Sequence, residues 1–237
     1  MYGYGGYYLG FDIYYLLLIL PAFIIALIAQ IKVKSTFSKY SSFKTANRLT
    51  GAEAAKQVLS SHGVYNVKIE RVSGSLTDHF DPRTNVIRLS ETVYNAATVA
   101  AVGVASHEAG HAVQYAEKYK PISIRNKLVP IVNFGSSFSW IALFLGIILS
   151  FDLLIFVGIG LFSFALLFQL ITLPVEFNAS RRAMETIKGQ YLLENDAEIK
   201  GARKVLNSAA MTYVAAVLMS VAQLIRLLAI FSRGRRR

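Results

Sequence analysis

The chain of 237 residues is long enough for one or two domains, but at 54% hydrophobic and 16% charged it is too apolar for an ordinary soluble one. Its formal charge of +11 carries no recognised nucleic-acid-binding signature; the excess sits in residues 32–128, with fourteen Lys/Arg against seven Asp/Glu, and in the tail at Arg233, Arg235, Arg236 and Arg237. That distribution fits contact with anionic lipid and cytoplasm-facing loops rather than nucleic acid, and the absence of cysteine excludes disulfides and thiolate metal sites.

Residues 1–8 are rich in Tyr and Gly and read as irregular. The first apolar run, Ile13–Ile31, has Gln30 as its only polar side chain apart from two tyrosines. No Lys or Arg precedes it and it is longer than a usual signal-peptide core, so it reads as a retained anchor with Tyr14 and Tyr15 at one interface. The basic residues that follow, from Lys32 to Arg48, place its far end inside. Thr50-Gly51-Ala52-Glu53 is a capping-box pattern opening a helix through about His62, which Gly63 stops; His62 reads as a C-terminal cap. Val67–Val72 and Val86–Ser90 read as strands, separated by the turn signals Ser73-Gly74-Ser75 and Asp81-Pro82-Arg83-Thr84-Asn85.

Ala96–Glu117 is small, apolar and free of proline, so it reads as a helix, and it contains His107-Glu108-Ala109-Gly110-His111. Residues four apart share a helix face, so both imidazoles can turn to one metal ion, while Glu108 can reach a water on that ion. Two histidines with a carboxylate suit zinc, which activates water for attack on a carbonyl with the glutamate as base. The strand just before this helix, at Val86, Ile87, Arg88 and Leu89, is a candidate to hold an extended substrate by backbone pairing, or an ordinary sheet strand.

Two further runs, Ile131–Leu149 and Leu153–Leu173, are separated by three residues and form a membrane hairpin, each run having about the 20 residues a span needs. The hairpin returns the chain to the side it left, which makes segment 174–208 the natural place for a third ligand. A helix opening at Pro174 puts Glu176, Ala179, Ser180 and Ala183 on one face, with small residues beside the glutamate as a close helix approach requires. Glu185, Glu194, Asp196 and Glu198 are rivals that look like solvated surface. In Asp78-His79-Phe80-Asp81, His79 is a candidate transition-state donor or latent fourth ligand, or else a structural turn histidine. Arg181 and Arg182 read as lipid anchors beyond a span, and Arg226, inside the last apolar run Ala209–Phe231, as snorkelling toward an interface. If that last run spans, the arginine-rich tail lies opposite residues 32–128, against the positive-inside rule.

The blocks Leu76–Arg83, Ile87–Ser90, Ala105–Gln114, Pro174–Ser180 and Val205–Ala216 resemble the YugP-like membrane zinc metallopeptidases, over about residues 50 to 220. The resemblance implies one Zn2+ ion held by His107, His111 and Glu176, with Glu108 as catalytic base. A more distant likeness is to HtpX and the CAAX prenyl endopeptidases, whose third-ligand helix carries an aspartate that supports a zinc-bound histidine. Here that position is Ser180, so either Ser180 reaches through a water or Asp78 or Asp81 supplies the support.

The expectation is therefore a mainly α integral membrane protein with about four transmembrane helices and a zincin-like catalytic domain built on the H-E-x-x-H helix and a small β element. Its expected segments are an anchor over 1–31, a catalytic part over 32–128, a hairpin over 129–173, a third-ligand segment over 174–208 and a C-terminal helix with basic tail over 209–237. The expected activity is zinc-dependent hydrolysis of a protein or peptide substrate beside the lipid bilayer, in a prokaryotic cytoplasmic membrane with the site facing the cytoplasm and no nucleic-acid partner. The competing reading is a zinc-binding membrane scaffold without activity, which a fourth protein ligand would favour. A transporter is less in keeping with a chain lacking a repeated, broken-helix pair.

Overall fold

All four apolar runs lie in long helices, and each of those helices extends well beyond its run. The structure, a computed structural model, describes residues 12–234; the Tyr/Gly segment 1–8 and Arg235, Arg236 and Arg237 lie outside the described residues. A π-helical turn over Tyr15–Ile19 leads into α1 (Leu20–Ser41), followed by α2 (Gly51–Ser61), β1 (Lys68–Val72), β2 (His79–Asp81), β3 (Val86–Ser90), the short α3 (Glu91–Tyr94), α4 (Val99–Ala116), α5 (Lys120–Ile148), α6 (Asp152–Gly189) and α7 (Asp196–Gly234). Among the described residues four helical segments are long and apolar enough to cross a membrane: Tyr15–Ser41, Lys120–Ile148, Asp152–Gly189 and Asp196–Ser232. The chain is thus mainly helical, with four candidate membrane spans and one small sheet.

Pro174 does not open a new helix. It lies inside α6, so the second span of the hairpin and the segment carrying Glu176 are one element. Proline in a helix interior loses a hydrogen bond, a defect that neighbouring helices can absorb. The segment boundaries expected near 31, 128, 173 and 208 likewise fall inside α1, α5, α6 and α7.

The chain divides into two compact units. Among the described residues, one comprises 12–28, 124–172 and 213–234. Within it Leu143 of α5 packs with Ile155 and Ile159 of α6 and with Leu227 and Phe231 of α7, while Ile19 and Ala22 pack with Ala222. Large apolar side chains such as Phe134, Phe144 and Leu153 stay exposed, an apolar surface suited to lipid. Arg226 does not snorkel. Its side chain is buried, its Nη2 lies 2.8 Å from Asp12 Oδ2, and its guanidinium stands 5.4 Å from the centre of the Tyr15 ring. A charge in an apolar helix is costly unless paired, and here the pair ties α7 to the residues leading into α1.

The second unit comprises 29–123 and 173–212. Ala54, Ala55 and Val58 of α2 join Val99, Ala101, Val102 and Ala105 of α4 in one buried cluster, which makes α4 the central helix of this unit. The capping box of α2 forms as its sequence suggests: Glu53 N–H donates to Thr50 Oγ1 and Thr50 N–H to Glu53 Oε2. His62 caps the other end, its Nδ1 2.9 Å from the Val58 carbonyl, and Gly63 takes the positive φ of 69° that ends the helix.

The sheet has the order β1-β3-β2. β3 pairs parallel with β1, Lys68 opposite Val86 through Val72 opposite Ser90, and antiparallel with β2, where Phe80 faces Ile87. This corrects one expectation: Val86, Ile87, Arg88 and Leu89 lie on the central strand, with neighbours on both sides, and cannot take an added strand. The free edge beside them belongs to β2, a three-residue strand that the sequence pattern did not reveal.

Candidate active site

α4 presents His107 and His111 one turn apart, with ring centres 4.7 Å from each other. α6 crosses close enough to bring Glu176 against both. Gly110 makes the approach possible: a Cβ there would stand 2.8 Å from the carbonyl oxygen of Ala179. Small residues thus face each other where the two helices meet, as the spacing of Glu176, Ala179 and Ala183 suggests.

Glu176 is buried, with Oε2 3.3 Å from His107 Nε2 and 3.5 Å from His111 Nε2. One donor atom from each residue lies within 4.8 Å of the others. Around a tetrahedral ion with bonds of ~2.0–2.1 Å, neighbouring donor atoms stand ~3.3–3.4 Å apart. The three side chains therefore fit a single zinc ion in both donor type and spacing, and these separations exceed those of an ordinary hydrogen bond.

The far side of each imidazole is also engaged. His111 Nδ1 is 3.0 Å from Gln114 Oε1, and Gln114 Nε2 donates to the Val175 carbonyl and to Asn178 Oδ1, both at 2.9 Å. Because the amide nitrogen already serves two acceptors, its oxygen faces His111 and must accept from Nδ1–H, leaving Nε2 a free lone pair. Arg182 extends the chain of contacts, its Nε on Asn178 Oδ1 and its guanidinium 2.7 Å from Glu117 Oε2. Arg182 is thus a tie between helices rather than a lipid anchor. Gln114 was missed by sequence reasoning, although its i+3 spacing from His111 was the available signal.

His107 has a simpler partner. Ser180 Oγ lies 3.0 Å from its Nδ1, a direct contact with no bridging water needed. Asp78 and Asp81 do not take that role. Asp78 accepts from the Ser90 N–H at 2.7 Å and the Ser90 hydroxyl at 3.0 Å, fastening the entry to β2 onto the end of β3, and burial pushes its carboxyl above the usual range. Asp81 accepts from the Arg83 N–H, the Thr84 hydroxyl and Arg88, and these hydrogen bonds, led by that of Arg83, hold its pKa at about 2. Asp78 thus closes the open end of the β2–β3 hairpin, and Asp81 orders its turn.

Glu108 points to the sheet. Its Oε2 accepts the Phe80 N–H at 3.0 Å, so the outward-facing amide of β2 and the candidate base are in direct contact. Burial is the main cause that pushes its carboxyl up to about 6. His79 stands apart from the group: its Nδ1 is 2.8 Å from the Thr77 carbonyl, and the ligand cluster found among the described residues comprises His107, His111 and Glu176. Of the rival acids, Glu185 pairs with Arg181 on the surface, but Glu198 is buried and accepts the backbone N–H groups of Ala46 and Glu194.

A family model described as "Putative neutral zinc metallopeptidase" matches residues 15–232. The chain belongs to that family. Within the curated proteins, the family member is 49% identical over 207 residues to "Putative membrane protease YugP" of Bacillus subtilis (strain 168), covering 87% of this chain and 92% of the relative. No solved structure matches the chain.

Proposed function

We propose that the protein is a membrane zinc metalloendopeptidase that hydrolyses peptide bonds close to the membrane surface, using His107, His111 and Glu176 to hold one Zn2+ ion and Glu108 as general base. One observation carries this reading: three donor atoms from two helices stand at the spacing of ligands around one ion, and the residue after the first histidine is a carboxylate aimed at the free edge of the sheet. Zinc in that position supplies Lewis acidity, polarising a carbonyl oxygen and lowering the pKa of water toward ~7.

The residues of the chain do the remaining work. Gln114 and Ser180 hold the imidazoles with their Nε2 atoms toward Glu176. An extended substrate pairs with the outer edge of β2 as Glu108 gives up the Phe80 N–H, bringing its scissile carbonyl beside Glu108. Glu108 takes a proton from the attacking water and gives it to the departing amide nitrogen as the C–N bond breaks. The basic excess of residues 32–128 supports a cytoplasm-facing site. Structural zinc sites usually have four protein ligands, so a group of three among the described residues favours hydrolysis over a purely structural metal.

Purified wild-type protein, Glu108→Gln and Glu176→Ala test the assignment through bound zinc and peptide cleavage. Glu108→Gln is expected to keep its zinc and lose about 10²–10⁴-fold in turnover. Glu176→Ala should lose both, and chelation of wild type should stop cleavage until zinc is returned. Full zinc loading in Glu176→Ala would sink the ligand set, and undiminished cleavage by Glu108→Gln would sink the mechanism.

A further inference from the structure

A groove of about 320 Å³ runs between α6 and α7 in the unit that holds the metal ligands. This is within the range of sites that bind small ligands and side chains. Ser180 lines it, so the groove reaches the residue that contacts His107. Phe177, Met184 and Leu206 give it apolar walls. On α6, Phe177, Ser180, Met184 and Lys188 fall at i, i+3, i+7 and i+11, which places them along one face.

Its charged lining is net positive. Arg181 is neutralised by Glu185 at 3.1 Å. Lys188 and Arg203 line the groove and, among the described residues, neither makes an ion pair with an acid. The two helices are joined by the short segment 190–195, and Lys188 from α6 and Arg203 from α7 line the same groove. The groove thus combines apolar walls, which reach Ser180 behind His107, with two uncompensated cations.

We propose that this groove is a specificity site for the polypeptide substrate, taking a bulky apolar side chain and, beyond it, an acidic residue held by Lys188 and Arg203. The occupant rests on the peptidase reading above. From Ser180 to Lys188 is eight helical residues, about 12 Å, which an extended chain covers in about four residues. The acid therefore belongs about four residues from the cleaved bond. An anionic phospholipid fits less well: Lys188 lies fifteen residues beyond Leu173, where the apolar run ends, about 22 Å along the helix, against roughly 5–8 Å of headgroup layer.

The test uses full-length, zinc-loaded protein in nanodiscs and labelled peptides with one apolar residue and Glu, Gln or Lys four residues to either side of the expected cleavage position. Binding is read by anisotropy on Glu108→Gln protein, so that it does not depend on turnover, and cleavage is read separately on wild type. The Glu peptide is expected to bind about fivefold tighter than the Gln peptide, the size of a partly exposed charge pair, and Lys188→Glu/Arg203→Glu is expected to reverse the order in favour of Lys. A circular-dichroism melt confirms that the double variant is folded, and Lys188→Gln/Arg203→Gln, which should abolish the preference, replaces it if it is not. Equal binding of all three peptides, or a preference unchanged by the variants, overturns the groove assignment. So does a charge effect confined to nanodiscs containing phosphatidylglycerol, which would make it a lipid site. Charge-dependent binding without cleavage by wild type would leave the groove standing and overturn the peptidase reading.

Discussion

His107 and His111 occupy one helix, one turn apart, yet the two sides of the site are built differently. Behind His111 lies a buried amide: Gln114 is 0% exposed and is pinned by Val175 and Asn178 of α6, with Arg182 and Glu117 beyond. Behind His107 is a single hydroxyl, that of Ser180, on the wall of the α6–α7 groove. A buried network fixes geometry strongly but is expensive to break, whereas a lone hydroxyl leaves a ring freer to adjust. The His111 side therefore works as the anchor that joins α4 to α6. The His107 side is the softer one, adjacent to the proposed substrate groove.

The largest effect should come from the anchor. Gln114→Leu removes the acceptor for His111 Nδ1–H and the amide donor that ties α4 to the Val175 carbonyl and to Asn178 Oδ1, the latter keeping only Arg182. Zinc affinity, measured by chelator competition, is expected to fall about 10–100-fold, as when other supports of metal-bound histidines are lost. Gln114→Glu sharpens the point. It keeps an acceptor for His111 but sets a carboxylate oxygen against two oxygens of α6, so it should also lose zinc. Wild-type affinity in both variants would show that the amide is packing and nothing more.

Next in size is the contact between the helices. Gly110→Ala places a methyl group 2.8 Å from the backbone oxygen of Ala179, and backbone cannot step aside as a side chain can. Such overpacking costs about 1–3 kcal/mol. Because α6 carries Glu176 and the partners of both histidines, zinc affinity and thermal stability should fall together. A stable Gly110→Ala protein with weakened zinc would mean that α6 shifts without unfolding; one with neither change would show that the close approach is dispensable.

The legibility of this site in the sequence follows the range of each interaction. His107 and His111 are readable because one helical turn relates them, and Glu176 because the hairpin must bring α6 back to the side of α4. Ser180 could be seen as occupying the position of a supporting group, but its direct reach to His107 depends on how closely α6 packs, which Gly110 permits and no periodicity announces. Gln114 lay one turn beyond His111, yet its role exists only with Val175 and Asn178, more than sixty residues later. Strand order is non-local in the same way: β2 is three residues with two acids around it, and nothing in Val86–Ser90 says that a later pairing would enclose it on both sides. The burial of Arg226 is hidden because its partner, Asp12, is 214 positions away, and that of Glu198 because one of its N–H donors, Ala46, is 152 positions away.

The smallest effect should come from the softer side. Ser180→Ala removes one neutral hydrogen bond, worth about 1 kcal/mol, so zinc affinity is expected to fall about fivefold, less than for Gln114→Leu. Ser180→Asp should act in the opposite direction. A carboxylate in place of the hydroxyl makes a charge-assisted bond to His107 Nδ1–H and raises the basicity of Nε2, so zinc should bind more tightly than in wild type. The same substitution puts a negative charge on the wall of the groove, where an acidic substrate is expected to pass. Tighter zinc should thus accompany weaker binding of the Glu peptide, with the Lys peptide unharmed. If Ser180→Ala instead costs as much zinc affinity as Gln114→Leu, the two histidines are equally anchored and the asymmetry fails. If Ser180→Asp tightens zinc without touching peptide charge preference, the softer side is a property of the metal site alone, and the groove does not communicate with it through Ser180.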